Sequence, residues 1–188
     1  MKTVLIVDES QVILDSLENK IKKVIDVKIL KANTYKEAVQ HITQEEIIHV
    51  AILDLNLPDS RNGQIVDYAI SKDIPSVILT GLMNEELQRT ILQKDILDYV
   101  IKSDLNSMEY TVNIINRTLN NYDRSILVVD DSKFQISVVT KMLEKMKIRV
   151  ETACNGEEAL NLIKAQDKDK QFSLVLTDYN MPIMNGLE

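Results

Sequence analysis

The stretch HVAILDLNLPDSRNG, from His49 to Gly63, decides the fold of this chain. Its apolar run from Val50 to Leu53 ends at Asp54, and a loop rich in turn-forming residues follows at once. A short run that is apolar at every position is typical of a central strand in a parallel sheet, because both faces of such a strand are buried. An acid at the carboxyl end of that strand lies where open α/β sheets bind ligands. The simpler interpretation is that Asp54 only forms a turn or caps a helix.

The same pattern returns near the end of the chain as FSLVLTDYNMPIMNG, from Phe172 to Gly186. Both copies contain an Asp, an Asn two residues later, a Pro two residues after that, and then Asn-Gly. Similarly, TVLIVDESQ at Thr3 returns as SILVVDDSK at Ser125, about 122 residues later. A repeat of this length indicates two copies of a domain rather than the short units of a solenoid.

The composition excludes several classes of protein. A chain of 188 residues holds one or two domains. Its formal net charge of −7 and its lack of Trp argue against direct nucleic-acid binding, which needs basic patches and stacking surfaces. The single cysteine, Cys154, excludes an internal disulfide framework and a site built from several thiolates, and we expect it to be a small buried side chain.

The apolar runs are too short for a signal peptide or a membrane span. We therefore expect a cytoplasmic protein with no membrane partner.

Five predicted strands alternate with five predicted helices over the first 122 residues. This alternation predicts an α/β fold, a doubly wound five-stranded parallel sheet with helices on both faces. The first helix should be capped by Ser10 and bury a stripe that extends to Val24, and the second should be capped by Thr34. The strands are expected at 3–7, 27–30, 50–53, 76–80 and 97–101, and the helices at 10–24, 34–44, 63–72, 83–94 and 106–122.

Residues 123–188 repeat only the front of this arrangement. Three strands out of an expected five are predicted: one from Ser125, one at 148–152, and one in the apolar run before Asp178. Helices are predicted at 134–146 and 156–165. We expect residues 1–122 to form a complete domain and residues 123–188 to be the truncated N-terminal part of a second one. The apolar third strand would lie at a sheet edge, so this part should not fold on its own.

Chemically active side chains follow four strands of the first copy. The carboxyl ends of parallel strands meet at one edge, so a single crevice should collect three acids, a hydroxyl and an amine. Carboxylates packed together repel unless a cation is present, and oxygen ligands suit Mg²⁺. A carboxylate nucleophile, a divalent cation, a Lys and a hydroxyl suit phosphoryl transfer to the carboxylate. The residues are Asp8, Glu9, Asp54, Thr80 and Lys102.

These motifs make the sequence resemble the receiver domain of bacterial two-component response regulators, which has the flavodoxin-like strand order. The first copy matches through VDES, LDLNLP, ILTG and YVIKS, and the second through VVDDS and LTDYNMPIMNG. The resemblance implies a tandem receiver protein that is phosphorylated and switches its conformation to control an output domain or partner.

The resemblance also implies the roles of individual residues. Asp54 would accept a phosphoryl group from a phosphohistidine on a sensor histidine kinase or phosphotransfer protein. Glu9 would ligate Mg²⁺ directly, Asp8 mainly through water, and Asn56 through its backbone carbonyl.

Lys102 would pair with the phosphoryl oxygens, while Thr80 and Tyr99 would form the conformational switch. In the second copy the resemblance assigns the acceptor role to Asp178 and the metal roles to Asp130, Asp131, Asp178 and the carbonyl of Asn180.

Three positions depart from the family pattern. Glu9 stands where the family usually has Asp, and the extra methylene moves the metal ligand outward. Ser103 stands where the family usually has a Pro, and the peptide bond between the Lys and that Pro is usually cis. A cis bond before a residue other than proline costs roughly 3 kcal/mol, so we expect a trans or a strained bond here. The loop after Asp54 is one residue longer than the loop after Asp178, with charged Asp59 and Arg61 in place of Ile183 and Met184.

Other functions remain open at this point. The departures favour a degenerate receiver that acts as a dimerisation or docking module without phosphorylation. A phosphatase that forms an aspartyl-phosphate usually has a second Asp two residues after the nucleophile, which acts as a general acid. This chain has Asn56 there, so the phosphatase hypothesis ranks last. A nucleotide-binding site is disfavoured because no Gly-rich loop follows the first strand.

We expect no conventional enzyme in this stretch beyond a receiver that catalyses its own phosphorylation and dephosphorylation. By family analogy, an output enzyme such as a diguanylate cyclase could be attached, and residues 83–122 could form a homodimer.

Overall fold

The computed structural model describes residues 1–45, 47–81, 84–103, 105–167 and 171–188, and for Leu105 only the backbone. The chain divides into two compact units, Met1–Leu119 and Asn120–Glu188. The domain limits expected from the sequence, 1–122 and 123–188, stay predictions.

The first unit is a five-stranded parallel sheet with helices between its strands. The strand order is β2-β1-β3-β4-β5, so the two strands that carry the acids, β1 and β3, are neighbours. The elements are β1 (Thr3–Val7), α1 (Gln11–Lys22), β2 (Lys28–Ala32), α2 (Tyr35–Gln44), β3 (Val50–Leu53), α3 (Gln64–Ser71), β4 (Ser76–Thr80), α4 (Glu85–Leu92), β5 (Asp98–Ile101) and α5 (Leu105–Asn121).

The three central strands are buried at every position, and an apolar cluster covers each face of the sheet. One cluster contains residues of α2 and α3, for example Ala38 and Ile65, and the other contains residues of α1 and α5, for example Leu17 and Ile115. This double coverage explains why β3 reads as a continuous apolar run, and it confirms the doubly wound α/β prediction.

The second unit holds a three-stranded parallel sheet in the order β7-β6-β8. The strand β8 lies at an edge with exposed side chains, whereas its counterpart in the first unit, β3, is buried. The elements are β6 (Ser125–Val129), α6 (Lys133–Lys145), β7 (Arg149–Ala153), α7 (Gly156–Ala165) and β8 (Leu174–Thr177).

Two details of the first helix differ from the prediction. Ser10 occupies the position before α1, but its side chain makes no capping hydrogen bond, and its backbone N–H instead donates to Oδ1 of Asp8 at 2.9 Å. Val24 is exposed because α1 ends at Lys22 and Val24 lies in the following turn. The prediction for Thr34 is confirmed, since its side chain accepts a hydrogen bond from the N–H of Glu37.

Two further expectations can be compared with the structure. Cys154 is exposed rather than buried, because it lies in the turn between β7 and α7 instead of inside an element. The peptide bond between Lys102 and Ser103 is trans. The predicted start of the fourth helix, Met83, lies outside the described residues.

No helix within the described ranges is long and apolar enough to cross a membrane.

Candidate functional site: a carboxylate pair held by one lysine

The site of the first unit is assembled by the carboxyl ends of β1, β3, β4 and β5. Val7 and Leu53 are register partners at the ends of β1 and β3. The residues that follow them, Asp8 and Asp54, therefore lie side by side. The backbone N–H of Asp54 donates to the carbonyl of Val7 at 2.9 Å, which extends the ladder by one residue and fixes the start of the loop that follows Asp54.

Lys102 joins the two acids. Its ammonium nitrogen lies 2.5 Å from Oδ2 of Asp54 and 2.6 Å from Oδ2 of Asp8. Lys102 follows β5, and its N–H donates to the carbonyl of Thr80 at 2.8 Å. Only 4% of Asp54 and 2% of Asp8 are exposed, so this cluster of one cation and two anions is largely shielded from water.

Burial and hydrogen bonding shift the pKa values of Asp8 and Lys102 in opposite directions. Burial raises the pKa of Asp8 and is only partly opposed by its hydrogen bonds from Lys102 and Ser10. Burial by itself would lower the pKa of Lys102, but the hydrogen bonds to Asp54 and Asp8 outweigh it, so that pKa is raised. The ammonium form of Lys102 is therefore the stable form beside these acids at neutral pH.

A cavity of about 350 Å³ opens beside this cluster. The exposed Glu9 lies at this cavity, and Asn56 donates its backbone N–H to Oδ1 of Asp54 at 3.3 Å. The structure thus brings together the side chains that were predicted to share a crevice, and it adds Gly81, which the sequence analysis did not single out. The cavity is lined by Glu9, Asp54, Asn56, Thr80, Gly81 and Lys102.

Tyr99 lies on β5, next to the strand that ends at Thr80. It is half-buried and packs against the apolar cluster that contains residues of α2 and α3. Burial, and then the negative charge of Asp54, raise the pKa of the Tyr99 hydroxyl.

The second unit has the same strand-end acids. One carboxylate oxygen from each of Asp130, Asp131 and Asp178 lies within 4.8 Å of the other two. The N–H of Asp178 donates to the carbonyl of Val129 at 2.8 Å, as Asp54 does to Val7. Asn180 is exposed in the loop that follows β8.

These donor sets fit a hard divalent cation, because carboxylate and carbonyl oxygens are the ligands that Mg²⁺ prefers. Among the described residues, Asp130, Asp131 and Asp178 are the one acidic trio with this close spacing. In the first unit the ammonium of Lys102 contacts both Asp8 and Asp54 and offsets one of their two negative charges.

The sequence indicates Asp59 only as a charged residue in a longer loop. In the structure its carboxylate accepts hydrogen bonds from the backbone of α2. The signal in the sequence was an acid one residue after Pro58, but nothing in the sequence indicated that this acid reaches a helix 23 residues earlier in the chain.

Known proteins resemble this chain in sequence and in fold. The family described as "Response regulator receiver domain" matches residues 4–113 and again residues 126–188. A solved structure titled "Structure of probable two-component system response regulator/GGDEF domain protein" aligns over 100% of this chain and 74% of its own, with 30% identity and a TM-score of 0.80. The response regulator DrrB, an OmpR/PhoB homologue from Thermotoga maritima, shares the fold at 23% identity, with a TM-score of 0.53 over 64% of this chain and 53% of its own.

Curated relatives match over shorter stretches. "Autoinducer 1 sensor kinase/phosphatase LuxN" of Vibrio campbellii is 36% identical over 73 residues, which are 39% of this chain and 8% of that protein. "Two-component response regulator ORR3" of Oryza sativa subsp. indica is 32% identical over 72 residues, which are 38% of this chain and 53% of that protein. The chain thus matches less than two thirds of the length of either relative.

Proposed function

Because this chain belongs to the response regulator receiver domain family of two-component signalling, we propose that it accepts a phosphoryl group from a phosphohistidine donor on Asp54, and on Asp178 in the second unit. The observation that carries this proposal is the buried Asp54 carboxylate, which follows β3 beside an open cavity with the Lys102 ammonium 2.5 Å away.

In the proposed reaction, an oxygen of Asp54 attacks the phosphorus of the donor. A P–O bond forms, the P–N bond to the donor imidazole breaks, and its electron pair stays with the imidazole. Lys102 carries three N–H donors, so it can bind oxygens of the incoming group through charge-assisted hydrogen bonds while it still contacts Asp8. The backbone N–H of Asn56 holds the other Asp54 oxygen and orients the carboxylate.

Mg²⁺ is the cation that we propose for both units. When bound, it would offset the negative charge shared by the acceptor and the phosphoryl oxygens. Its ligands in the first unit would be Glu9, Asp54 and the carbonyl of Asn56, with Asp8 behind them through water. In the second unit they would be Asp130, Asp131, Asp178 and the carbonyl of Asn180.

Thr80 and Tyr99 are the proposed switch. Thr80 ends β4 at the cavity, where its hydroxyl can bind a phosphoryl oxygen, and Tyr99 lies on the neighbouring strand. We propose that the two side chains change conformation together after phosphorylation. The region from α4 to α5 would then form the homodimer contact, within the residues 83–122 that the family analogy indicates.

The proposed donor is a sensor histidine kinase or a phosphotransfer protein, and kinases that contain a matching segment support this. The proposed output is a GGDEF-type enzyme under the control of the two units, supported by the full-length likeness to a response regulator/GGDEF protein. Identification of a different type of output domain attached to these two units would contradict it.

Phosphorylation can be tested on the whole chain with acetyl phosphate and Mg²⁺. Intact mass spectrometry should show up to two added phosphoryl groups, both released by hydroxylamine, which cleaves acyl phosphates. The variants Asp54→Asn and Asp178→Asn should each lose one group, and the double variant both.

Asp26→Asn is the matched control for these variants. It makes the same change at an exposed acid before β2, at the amino edge of the sheet. This variant should be labelled like the wild type. No added mass on the wild type, or full labelling of the double variant, would contradict the proposal.

A second candidate function is a docking or dimerisation module without phosphorylation. It is favoured by the departures of the first unit from the family pattern, namely Glu9, Ser103 and the longer loop after Asp54. Titration with Mg²⁺ and beryllofluoride separates the two functions. Binding at Asp54 with a change in oligomeric state supports the switch, and no binding supports the module.

A further inference from the structure

The acceptor loop of the first unit, residues 54–63, is closed on itself. Leu57 and Ser60 exchange two backbone hydrogen bonds, with N···O distances of 2.9 and 3.2 Å, and Leu57 is buried. The N–H of Gly63 donates to the carbonyl of Leu55 at 3.2 Å. The exposed tip of this loop is Pro58 and Asp59, so the loop projects one carboxylate away from the apolar cluster.

That carboxylate is bound to the start of α2. Oδ1 of Asp59 accepts the N–H of Tyr35 at 2.7 Å, and Oδ2 accepts the N–H of Lys36 at 3.0 Å. The next N–H, that of Glu37, is bound by the side chain of Thr34. The first N–H groups of a helix have no partner within the helix, and the positive end of the helix dipole attracts an anion. Asp59 therefore binds two of these groups from a different segment of the chain.

The second unit makes the equivalent connection without a side chain. Its acceptor loop is one residue shorter, and the backbone carbonyl of Met184 accepts the N–H of Gly156, the first residue of α7, at 3.1 Å. The two helices begin alike in other respects: Asn33 N–H donates to Glu37 and Cys154 N–H donates to Glu158, at 2.8 and 2.7 Å.

Gly156 shows how close this second connection is. A Cβ at that position would lie 2.7 Å from Cγ and 3.0 Å from the carbonyl oxygen of Met184. In the first unit the corresponding residue is Tyr35, which has a full side chain. In the first unit the Asp59 carboxylate, on a longer loop, thus takes the place of the backbone hydrogen bond that joins Gly156 to Met184 in the second unit.

We propose that Asp59 is a positioning residue of the first site, which ties the acceptor loop to α2 and so fixes the backbone around Asn56. On one side Asn56 is followed by Leu57, whose two backbone hydrogen bonds with Ser60 close the turn that carries Asp59. On the other side its N–H binds Oδ1 of Asp54. The inference rests on the proposed function in one respect, because the carbonyl of Asn56 is a proposed ligand of Mg²⁺.

The test compares Asp59→Ala and Asp59→Asn in the whole chain, in an Asp178→Asn background that removes the second acceptor. Without metal, amide hydrogen exchange by NMR should be about fivefold faster at Tyr35 and Lys36 in Asp59→Ala, because the cap is lost. The affinity for Mg²⁺, measured by calorimetry, should fall about tenfold, as is typical when an outer contact that orients a metal ligand is removed. Asp59→Asn keeps one acceptor oxygen and should be intermediate in both measurements.

Ile183→Ala is the matched control, because Ile183 follows Pro182 as Asp59 follows Pro58, and 77% of it is exposed. Measured in an Asp54→Asn background, it should leave the affinity of the second site for Mg²⁺ unchanged, because a backbone carbonyl makes the tether there. A loss like that of Asp59→Ala would overturn the assignment.

The remaining outcomes separate this inference from the proposed function. Unchanged exchange at Tyr35 and Lys36 would overturn the tether, and faster exchange with unchanged Mg²⁺ affinity would leave Asp59 as a helix cap only. If the wild-type first site binds no Mg²⁺, the proposed function fails there. The position of Asn56 is then judged from its amide chemical shift, and an unchanged shift in Asp59→Ala would overturn the inference.

Discussion

The ammonium nitrogen of Lys102 lies 2.5 Å from Oδ2 of Asp54, although the two residues are 48 positions apart and follow different strands. The same nitrogen contacts Asp8 at 2.6 Å, and only 18% of the Lys102 side chain is exposed. One cation therefore contacts two buried carboxylates and offsets one of their two negative charges.

Lys102→Met should destabilise the metal-free protein. Two buried carboxylates would lose their cation, and removal of one partner from a buried ion pair costs about 3 kcal/mol. Urea unfolding at neutral pH should show this loss, and Mg²⁺ should restore more stability to the variant than to the wild type. Lys20→Met removes a more exposed pair, with Glu109 at 3.4 Å, and should cost less than about 1 kcal/mol. Equal losses in the two variants would contradict this interpretation.

Glu9→Asp should strengthen Mg²⁺ binding at the first site by about threefold to tenfold. The shorter side chain would place its oxygen as Asp131 does in the second unit, where one oxygen of each acid lies within 4.8 Å of the others. Calorimetric titration in the Asp178→Asn background measures the change. The reciprocal variant, Asp131→Glu in an Asp54→Asn background, should weaken the second site. If both substitutions shift the affinity in the same direction, ligand length is not the cause.

Gly63→Ala should lower the free energy of unfolding by about 1 to 3 kcal/mol, because Gly63 has a φ of +75° in the left-handed region. Its added Cβ would also lie 2.9 Å from Cδ2 of Leu55. Gly81→Ala is the control, since a Cβ there would meet nothing within 4 Å. Thermal or urea unfolding should separate the two variants, and similar stabilities would show that the conformation of Gly63 is not required.

The tether made by Asp59 should persist into the acid range. The hydrogen bond from the Lys36 N–H, together with that from Tyr35, lowers the pKa of Asp59 below its usual range. A carboxylate whose pKa is lower in the folded state stabilises the fold fully above its unfolded pKa, about 3.9, and loses that contribution as the pH falls through its folded value. The amide shifts of Tyr35 and Lys36 should therefore change only below about pH 4.

In that titration, Glu37 and Lys36 are the nearby charged groups, and Asp59→Asn is the control because it should remove the step altogether. A midpoint at or above the usual Asp value would show that the hydrogen bonds do not favour the ionised form.

Local rules predicted the sheet and the edge where the site lies. The apolar run of β3 and the turn residues after Asp54 depend only on neighbours in sequence, and parallel strands bring their carboxyl ends together whatever the detailed packing. The burial of Val24 was predicted wrongly, because periodicity does not show where a helix stops, and no Gly or Pro marks the end of α1. The burial of Cys154 was predicted wrongly, because it was inferred from the residue type alone and Cys154 lies in the turn between β7 and α7. The bonds of Lys102 and Asp59 depend on side-chain reach between distant segments, which a single sequence does not encode locally.

The exposure of Cys154 has a practical consequence. As the one thiol of the chain, it can carry a single fluorescent or fluorine label without any engineered cysteine. It lies two residues before Gly156, whose N–H binds the acceptor loop of the second unit. A label there would lie close to that loop and so report on events at Asp178.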